Sequence, residues 1–249
     1  MKSLTGKVCL KAIIVAITCF ISLSVRAGEK TLKIMAVHFP PYEFETPVDG
    51  LKGCDVEVVE EVFRRIGVNT QIVFSPWARA LETVITGQEN ALLSCGYNKE
   101  RDERLYLSDP ISVGTHGYFV REDYSGPLFN SVEEFRGHNI TAVLGYSSQK
   151  ELEERGINHT TARTDKIALN ILMAQRVDVF FGTLEANIFI AKQNDLSHKL
   201  KHYPLYSKNY HLCFSKKWDR AREILSQFNH SLAQVRADGT YDAIHDKYR

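Results

Sequence analysis

The chain has 249 residues, with 31 basic and 30 acidic side chains, a formal net charge of +1 and 44% hydrophobic residues. A near-neutral chain without a basic excess argues against a nucleic-acid-binding protein, which needs a positive surface for phosphates. The hydrophobic content supports well-packed cores, and the length allows one large domain or two small ones.

The first 27 residues are predicted to be a cleaved, Sec-type export signal. Three lysines precede an uncharged, largely apolar run at residues 12–23, and Val25-Arg26-Ala27 offers small residues to signal peptidase. This run is too short to span a bilayer, which takes about 20 residues, so a membrane anchor is the less favoured alternative. Without this segment the chain carries 27 basic and 30 acidic side chains. We expect a soluble, periplasmic protein that begins near Gly28 and does not insert into a membrane.

The rest of the chain reads as alternating strands and helices, the pattern of an α/β fold. In its first half we predict strand 31–37, helix 55–66, strand 70–74, a helix with Ser75-Pro76 as N-cap and first residue that stops at Gly87, and strand 91–95. After residue 110 the pattern restarts with an extended run 111–121, strand 139–144, a helix after residues 145–148, helix 164–175, strand 177–181, helix 183–193 and strand 210–214.

Two helices are predicted to close the chain. The first begins near Trp218 and ends at Asp238-Gly239, because glycine can take the left-handed conformation that terminates a helix. The second follows with Thr240 as its N-cap.

Three cysteines follow the predicted signal: Cys54, Cys95 and Cys213. Export permits a disulfide, but an odd number of thiols cannot all pair within the chain. Cys95 and Cys213 lie in apolar, strand-like runs. We therefore predict buried, unpaired thiols that pack as small hydrophobic side chains.

His198 and His202 have the i, i+4 spacing that on a helix could bind a metal ion. No further ligand is evident nearby, and the segment also holds two lysines. A solvated surface is the favoured interpretation, and no metal or cofactor is expected.

Five segments match the sequence motifs of one protein family, in the same order along the chain. They are residues 33–44 (KIMAVHFPPYEF), 50–56 (GLKGCDV), 100–110 (ER…LSDP), 131–146 (SVEEFRGHNITAVLGY) and 237–249 (ADGTYDAIHDKYR). Together they resemble the bacterial extracellular solute-binding proteins of family 3, although Cys54 stands where the family usually has Phe. The resemblance covers nearly all of the chain after the signal.

The resemblance implies a two-lobed, type II periplasmic-binding fold, with a mixed sheet flanked by helices in each lobe. Lobe 1 would hold residues 28–113 and 210–249, and lobe 2 residues 114–209. The two crossing segments, near residues 112–116 and 206–210, would form the hinge.

Ligands of open α/β sheets bind beyond the C-terminal ends of the strands, so the segments after strands supply the candidate site residues. Phe39, Tyr42 and Glu43 follow the first strand in a loop stiffened by prolines, and are predicted to form a ligand wall rather than an ordinary packed turn. Trp77 could stack on a ligand or be a core residue. Arg79 could line the cleft or lie on a solvated helix face.

Ser94, Gly96 and Tyr97 lie at the end of strand 91–95, and Arg101 follows in the next loop. A guanidinium group offers a two-pronged fork that fits a carboxylate. The resemblance implies that the serine hydroxyl and Arg101 hold the α-carboxylate of the ligand. The alternative is that Arg101 pairs with the acidic residues beside it in the chain.

The second lobe offers Tyr146, Ser147 and Ser148 at the start of a predicted helix. The N–H groups of a helix N-terminus favour an anion. This end is therefore predicted to receive the same carboxylate.

Two positions depart from the family pattern. Amino-acid receptors of the family usually carry an Asp after the strand that ends near residue 181, where it holds the ammonium of the ligand, but here Thr183 stands in that place. Val37 likewise stands where lobe 1 often has an acidic residue. Either Glu185 substitutes as the ammonium partner, or the ligand has no α-ammonium.

These features predict a monomeric, non-enzymatic receptor. It would capture a small polar solute, an amino acid or related carboxylate, and deliver it to an inner-membrane ABC permease. One alternative is an enzyme resembling cyclohexadienyl or arogenate dehydratase, in which Glu43 or Glu185 acts as general acid or base with a pKa raised by burial. The other is a ligand-sensing module for a membrane receptor.

Overall fold

The computed structural model describes residues 31–248, so the predicted export signal lies outside the described residues. Within this range no helix combines the length and the apolar character needed to cross a membrane. The strands are β1 (Leu32–Ala36), β2 (Thr70–Phe74), β3 (Ala91–Gly96), β4 (Leu105–Arg121), β5 (Ile140–Val143), β6 (Thr160–Ala162), β7 (Val179–Thr183) and β8 (Leu200–Ser215). The α-helices are α1 (Cys54–Arg65), α2 (Trp77–Ile85), α3 (Lys99–Arg104), α4 (Ser147–Glu154), α5 (Asp165–Met173), α6 (Leu184–Gln193), α7 (Ala221–Ala237) and α8 (Thr240–Asp246).

The strands form one mixed sheet in the order β2-β1-β3-β8-β4-β7-β5-β6. β1 is parallel to β2 and β3, and β5 is parallel to β6 and β7. β4 and β8, with 17 and 16 residues, pair antiparallel in the centre. The predicted mixed α/β architecture is confirmed. The two predicted sheets are joined into one, because β4 and β8 are long enough to belong to both.

Helix α1 illustrates how local sequence produces these elements. Val56, Val59, Val62 and Phe63 recur at helical spacing and are all buried on one face. Gly67 ends the helix in a left-handed conformation at φ +70°, and its N–H donates to the Arg64 carbonyl. The helix therefore covers the first strands of the sheet with its apolar face.

Four clusters of buried side chains form the core of the part of the chain that the structure describes. Two are built from residues 32–111 and 210–244, with Ala186 added, and two from residues 118–200. We call β2-β1-β3 with their helices the first half and β7-β5-β6 with their helices the second half. Between them, residues 112–116 of β4 pair with residues 210–206 of β8, so the two predicted hinge segments lie side by side. The residue boundaries of the two lobes stay predictions.

The predicted helix caps are corrected at two places. Thr240 is the first residue of α8 rather than its N-cap, because Gly239 occupies that position at φ +80°. The Thr240 N–H donates to Asp238 Oδ1 (3.0 Å), and its hydroxyl accepts from Arg65 Nη2 (3.0 Å). Helix α2 has Pro76 rather than Ser75 at its N-cap.

The prediction of unpaired thiols is wrong for two of the three cysteines. Cys95 on β3 and Cys213 on β8 form a disulfide, with their Cα atoms 6.0 Å apart. β3 and β8 are antiparallel neighbours, and an irregularity in their register brings the two side chains together. This pairing joins positions 118 residues apart, which no local pattern reveals. Cys54 is a buried free thiol, as predicted.

His198 and His202 do not share a helix. His198 lies in a short 3₁₀ turn, Ser197–Lys199, near Asp195, whereas the His202 ring on β8 lies against Phe119. Among residues 31–248 no cluster of His, Cys, Asp and Glu could hold a metal ion.

Candidate ligand-binding site

A small cavity of about 20 Å³ lies between the two halves, beyond the C-terminal ends of β1, β3 and β7. This volume holds roughly one water molecule. We call it the inner cavity. Nine of the predicted site residues contribute to its lining, which comprises Val37, Phe39, Trp77, Ser94, Gly96, Arg101, His116, Tyr146, Ser147, Ser148, Thr183 and Tyr210.

Arg101 is the central polar side chain of the inner cavity. The Asn98 side chain caps α3 by accepting from the Arg101 backbone N–H (2.8 Å). This bond fixes the backbone position from which the Arg101 side chain extends. The guanidinium donates to the Gly96 carbonyl through Nη1 (2.6 Å) and to the Gly145 carbonyl through Nη2 (2.7 Å). It also lies over the Trp77 ring, 4.8 Å from the centroid. Arg101 therefore contacts both halves of the molecule.

This cation has no carboxylate partner within ion-pair distance among the described residues, and its Nε–H has no hydrogen-bond acceptor. Only 2% of its surface is exposed. Burial lowers the pKa of Arg101 to about 10, which still leaves it charged at neutral pH. The alternative prediction, pairing with the adjacent acidic residues, is not what the structure contains. A buried, unpaired cation is costly, and a bound anion would relieve that cost.

The Gly145 carbonyl is a shared acceptor that links the halves. Besides Arg101 it accepts a hydrogen bond from Trp77 Nε1 (2.8 Å). Gly145 takes a left-handed conformation at φ +76°, and a Cβ at this position would lie 3.1 Å from Trp77 Cδ1. Glycine therefore allows the loop of the second half to approach the Trp77 ring closely.

Aromatic rings form the apolar wall of the inner cavity. Phe39 stacks on Tyr42 (5.1 Å between centroids) and meets Tyr146 and Tyr210 edge-on at 6.0 and 5.6 Å. Trp77 meets Tyr146 edge-on at 5.6 Å. Tyr42 packs behind this wall and donates from its hydroxyl to the Val113 carbonyl (3.1 Å). These rings shape the cavity, and Phe39, Trp77 and Tyr146 face it directly.

Three serines add polar groups. Ser94 adopts a positive φ of +45° at the end of β3 and donates to Asp55 Oδ2 (2.6 Å). Such backbone conformations cluster at binding sites. Ser147 and Ser148 occupy the first turn of α4, whose N-cap residue, Tyr146, makes no side-chain capping bond. The amide groups of this first turn are thus suited to an anion.

A hydroxyl network forms the remaining wall. Thr183 Oγ1 and the Tyr210 hydroxyl lie 2.7 Å apart, and the same hydroxyl lies 3.4 Å from His116 Nε2. Burial, and then the nearby Lys208 and Arg101, lowers the pKa of His116 to about 3, so its ring is neutral at physiological pH. Sequence reasoning missed His116 and Tyr210 as site residues. Their position in the two crossing segments, which pass behind the cleft, is the signal that could have identified them.

Five predicted residues do not line the inner cavity: Tyr42, which packs behind its wall, and Glu43, Arg79, Tyr97 and Glu185. Glu185 accepts the Thr115 N–H through both carboxylate oxygens (3.1 and 3.0 Å). Glu43 is fully buried, and its Oε2 accepts from the Val37 N–H (2.8 Å). Arg79 and Tyr97 are exposed at the surface.

The buried Glu43 carboxyl predicts a pH-dependent stability. Its Oε1 has no hydrogen-bond partner, and burial raises the pKa of Glu43 to about 8 from an ordinary 4.5. The folded protein therefore keeps a proton that the unfolded chain releases. Through this group the free energy of unfolding should fall as the pH rises toward about 8, by up to about 1.4 kcal/mol per unit. Urea unfolding between pH 7 and pH 8 should show the slope in the wild type and not in Glu43→Gln.

Two observations sharpen this test. Below about pH 6.5 two other buried groups contribute with opposite signs: burial raises the pKa of Asp55 to about 6 and lowers that of His116 to about 3, so the range from pH 7 to pH 8 isolates Glu43. Glu45 is exposed, so Glu45→Gln should behave as the wild type. A wild-type stability that increases between pH 7 and pH 8 contradicts the prediction.

An outer cavity of about 500 Å³ adjoins the inner one and shares Val37, Trp77 and Tyr146 with it. Its walls carry charges of both signs, including Asp165 and Arg163. The edge contact between Trp77 and Tyr146 lies between the two cavities. The outer cavity is the larger of the two.

Two halves of a mixed sheet, joined by two long central strands and enclosing a polar cavity, define the type II periplasmic-binding fold. A crystal structure of a histidine kinase sensor domain with similarity to periplasmic binding proteins shares this fold (TM-score 0.79, 22% identity, 88% of this chain and 96% of that one). Another is the ancestral amino-acid-binding protein AncCDT-1, described as a precursor of cyclohexadienyl dehydratase (TM-score 0.71, 20% identity, 88% and 94%).

Residues 33–249 match the bacterial extracellular solute-binding proteins, family 3, and the chain belongs to this family. It is 26% identical to the probable amino-acid-binding protein YxeM of Bacillus subtilis (strain 168) over 213 residues, which are 83% of this chain and 80% of YxeM. It is 19% identical to the arginine-binding periplasmic protein of Mannheimia haemolytica, over 93% of this chain and 96% of the relative. The predicted family membership is confirmed.

Proposed function

We propose that this protein is a monomeric periplasmic receptor that binds a small carboxylate between two lobes and delivers it to an inner-membrane importer. One observation carries the proposal: the buried Arg101 guanidinium has no carboxylate partner within ion-pair distance among residues 31–248, and it keeps a spare N–H. A ligand carboxylate supplies both the missing charge and the missing acceptor. The names of YxeM and of the arginine-binding protein support a ligand of amino-acid size.

Binding requires the halves to separate, because a cavity of about 20 Å³ is too small for any organic solute. We propose lobe 1 as residues 28–113 and 210–249, lobe 2 as residues 114–209, and the paired segments 112–116 and 206–210 as the hinge. The ligand takes the place of the Gly96 and Gly145 carbonyls on Arg101 and holds the lobes together. It thereby shifts an open–closed equilibrium toward the closed form that an importer recognises.

Thermal unfolding of the chain without residues 1–27 tests the proposal against a panel of amino acids, other carboxylates, amines and short peptides. A ligand at about 100 times its dissociation constant adds roughly 2.7 kcal/mol of stability. Stabilisation by carboxylates only is the expected result. Stabilisation by amines alone, or by nothing in the panel, contradicts the proposal.

If the two halves close on the ligand, ligand affinity should be sensitive to substitution of Gly96. A Cβ at this residue would lie 3.3 Å from Ser147 Oγ and 3.6 Å from Lys208 Cε, so Gly96→Val overfills the closed cleft. Overfilling costs about 1–3 kcal/mol, and we expect ligand affinity to fall about tenfold or more. Isothermal titration calorimetry measures the affinity, and X-ray scattering should show a ligand-induced compaction in the wild type but a smaller one in the variant.

The neighbouring Tyr97 supplies the control for this prediction. Its side chain is 51% exposed and outside the inner cavity, so Tyr97→Ala should change the affinity by less than about twofold. Equal affinities for Gly96→Val and the wild type refute closure at this contact.

The enzyme alternative requires a carboxyl group that reaches the ligand. Glu43 has the raised pKa that such a role needs, but it is fully buried and does not line the inner cavity, and Glu185 accepts the Thr115 amide. These positions favour binding without catalysis. Incubation with prephenate should leave its absorbance unchanged. A sensing role predicts the same ligand and a membrane receptor, instead of a permease, as partner.

A further inference from the structure

The inner cavity has an unusual charge balance for a site that would hold an amino acid. Of the described residues that line it, only Arg101 is formally charged. A second cation, Lys208, approaches the same wall: its Cε lies 3.6 Å from where a Cβ of Gly96 would be. Within residues 31–248 no carboxylate lines the inner cavity. The lining is therefore positive, with no counter-charge for an ammonium group.

Two buried aspartates lie nearby, but neither lines the inner cavity and both accept hydrogen bonds from other side chains. Asp55 accepts from the hydroxyls of Ser94 (2.6 Å) and Ser112 (2.9 Å). Asp165, which lines only the outer cavity, accepts from Asn187 Nδ2 and from the Tyr146 hydroxyl (both 3.0 Å). The hydroxyls of Ser94 and Tyr146 thus stand between these carboxylates and the inner cavity.

Glu43 and Glu185 do not supply the charge either. Glu43 does not line the inner cavity, its Oε2 accepts from the Val37 N–H, and burial raises its pKa to about 8, which favours the uncharged form at neutral pH. Glu185 is bonded to the Thr115 backbone outside the inner cavity. The ammonium partner expected for an amino acid is therefore missing from both candidate positions.

The group next to the carboxylate of a ligand would meet neutral oxygens and a neutral ring. When a carboxylate binds Arg101, its α-carbon is one bond away, so the α-substituent lies in the inner cavity. There it faces the hydroxyls of Thr183 and Tyr210, 2.7 Å apart, and His116 Nε2 beside them. Hydroxyl groups donate and accept, so they pair equally well with a ligand hydroxyl or carbonyl oxygen.

We propose that the ligand is a carboxylate with an uncharged oxygen at its α-position, a 2-hydroxy or 2-oxo acid, rather than an α-amino acid. This inference rests on the proposed function and names the substrate class of the same site. An ammonium group here lies beside Arg101 and Lys208 without a counter-ion, and loses hydration without a charged partner. A hydroxyl or carbonyl oxygen keeps its hydrogen bonds through Thr183 and Tyr210.

The test is isothermal titration calorimetry of the wild type with matched pairs that differ only at the α-position. The pairs are L-lactate and L-alanine, L-3-phenyllactate and L-phenylalanine, and L-2-hydroxyglutarate and L-glutamate, with pyruvate added as a 2-oxo acid. We expect the hydroxy or oxo acid of the best-binding pair to bind about 10- to 100-fold more tightly than its amino acid. An amino acid that binds as tightly as its partner, or more tightly, overturns the inference.

Thr183→Asp supplies the missing charge at the cavity wall and should reverse the preference, improving the amino acid relative to the hydroxy acid by about tenfold or more. Thr183→Ser keeps the hydroxyl and should keep the wild-type preference. If Thr183→Asp does not fold by circular dichroism, the wild-type pairs decide alone. A Thr183→Asp that folds and keeps the wild-type preference counts against the inference.

Arg101→Met separates this inference from the proposed function. If Arg101→Met weakens carboxylate binding and the wild type prefers the amino acid of a pair, the inference is overturned and the receptor function stands. Carboxylate binding at wild-type affinity in Arg101→Met, or absent binding of every carboxylate by the wild type, overturns the proposed function and the inference together.

Discussion

Replacing Arg101 with methionine is expected to lower the affinity for the carboxylate ligand by about 30-fold to several thousand-fold. Removing one partner of a buried, hydrogen-bonded charge pair costs about 2–5 kcal/mol, and here the ligand carboxylate would be left buried without its cation. Arg101→Lys keeps the charge but loses the two-pronged geometry, so an intermediate loss of about tenfold is expected. Isothermal titration calorimetry with the best ligand of the panel measures all three affinities.

The same substitution should leave the ligand-free protein stable. Methionine fills much of the space of Arg101 and removes an unpaired cation that is only 2% exposed, so the free energy of unfolding should stay within about 1 kcal/mol or rise. Arg104 lies on the same helix, is exposed and does not line the inner cavity, which makes Arg104→Met the matched control. Wild-type affinity in Arg101→Met, or equal losses in both variants, contradicts the assigned role.

Removing the disulfide between Cys95 and Cys213 is expected to cost about 3–5 kcal/mol of unfolding free energy. The bond closes a loop of 118 residues, and loops of this length lose much of their unfolded-state entropy when they are cross-linked. The melting temperature of the Cys95→Ala/Cys213→Ala variant should fall by roughly 10 °C. Denaturant unfolding of the wild type with and without reductant, beside the double variant, measures the effect.

Cys54→Ala is the control, because Cys54 is equally buried but unpaired. It should lose only about 1 kcal/mol through poorer packing, and reductant should not change that loss. A thiol titration of the denatured, unreduced chain without residues 1–27 should detect one free thiol, that of Cys54. Three free thiols would refute the disulfide.

The elements with a strong local pattern were predictable. Strand β2 has the predicted bounds, 70–74, and α1 differs from its prediction by one residue at each end. Local signals failed for the central strands: β8 begins at Leu200, ten residues before the predicted start. Its early residues alternate irregularly between exposed and half-buried positions, so their pairing with β4, rather than a hydrophobic period, makes them a strand.

The candidate site divides in the same way. Arg101, Ser94 and the α4 N-terminus were found because each follows a strand and carries chemistry suited to a carboxylate. His116 and Tyr210 were missed because each looks ordinary in its own segment. They become site residues only in the folded chain, which brings together two positions that are 94 residues apart in sequence.

By itself the sequence determined the family and the α/β class, and it supplied the proposal that Arg101 meets a carboxylate, because these depend on residue types and spacings along the chain. Tertiary structure alone decided which strands became neighbours, and with them the Cys95–Cys213 bond. It also decided that Glu185 and Glu43 lie outside the inner cavity, so that a positive, hydroxyl-lined wall remains around Arg101. Charge balance in a cavity is a property of distances between remote residues, and it exists only once the chain has folded.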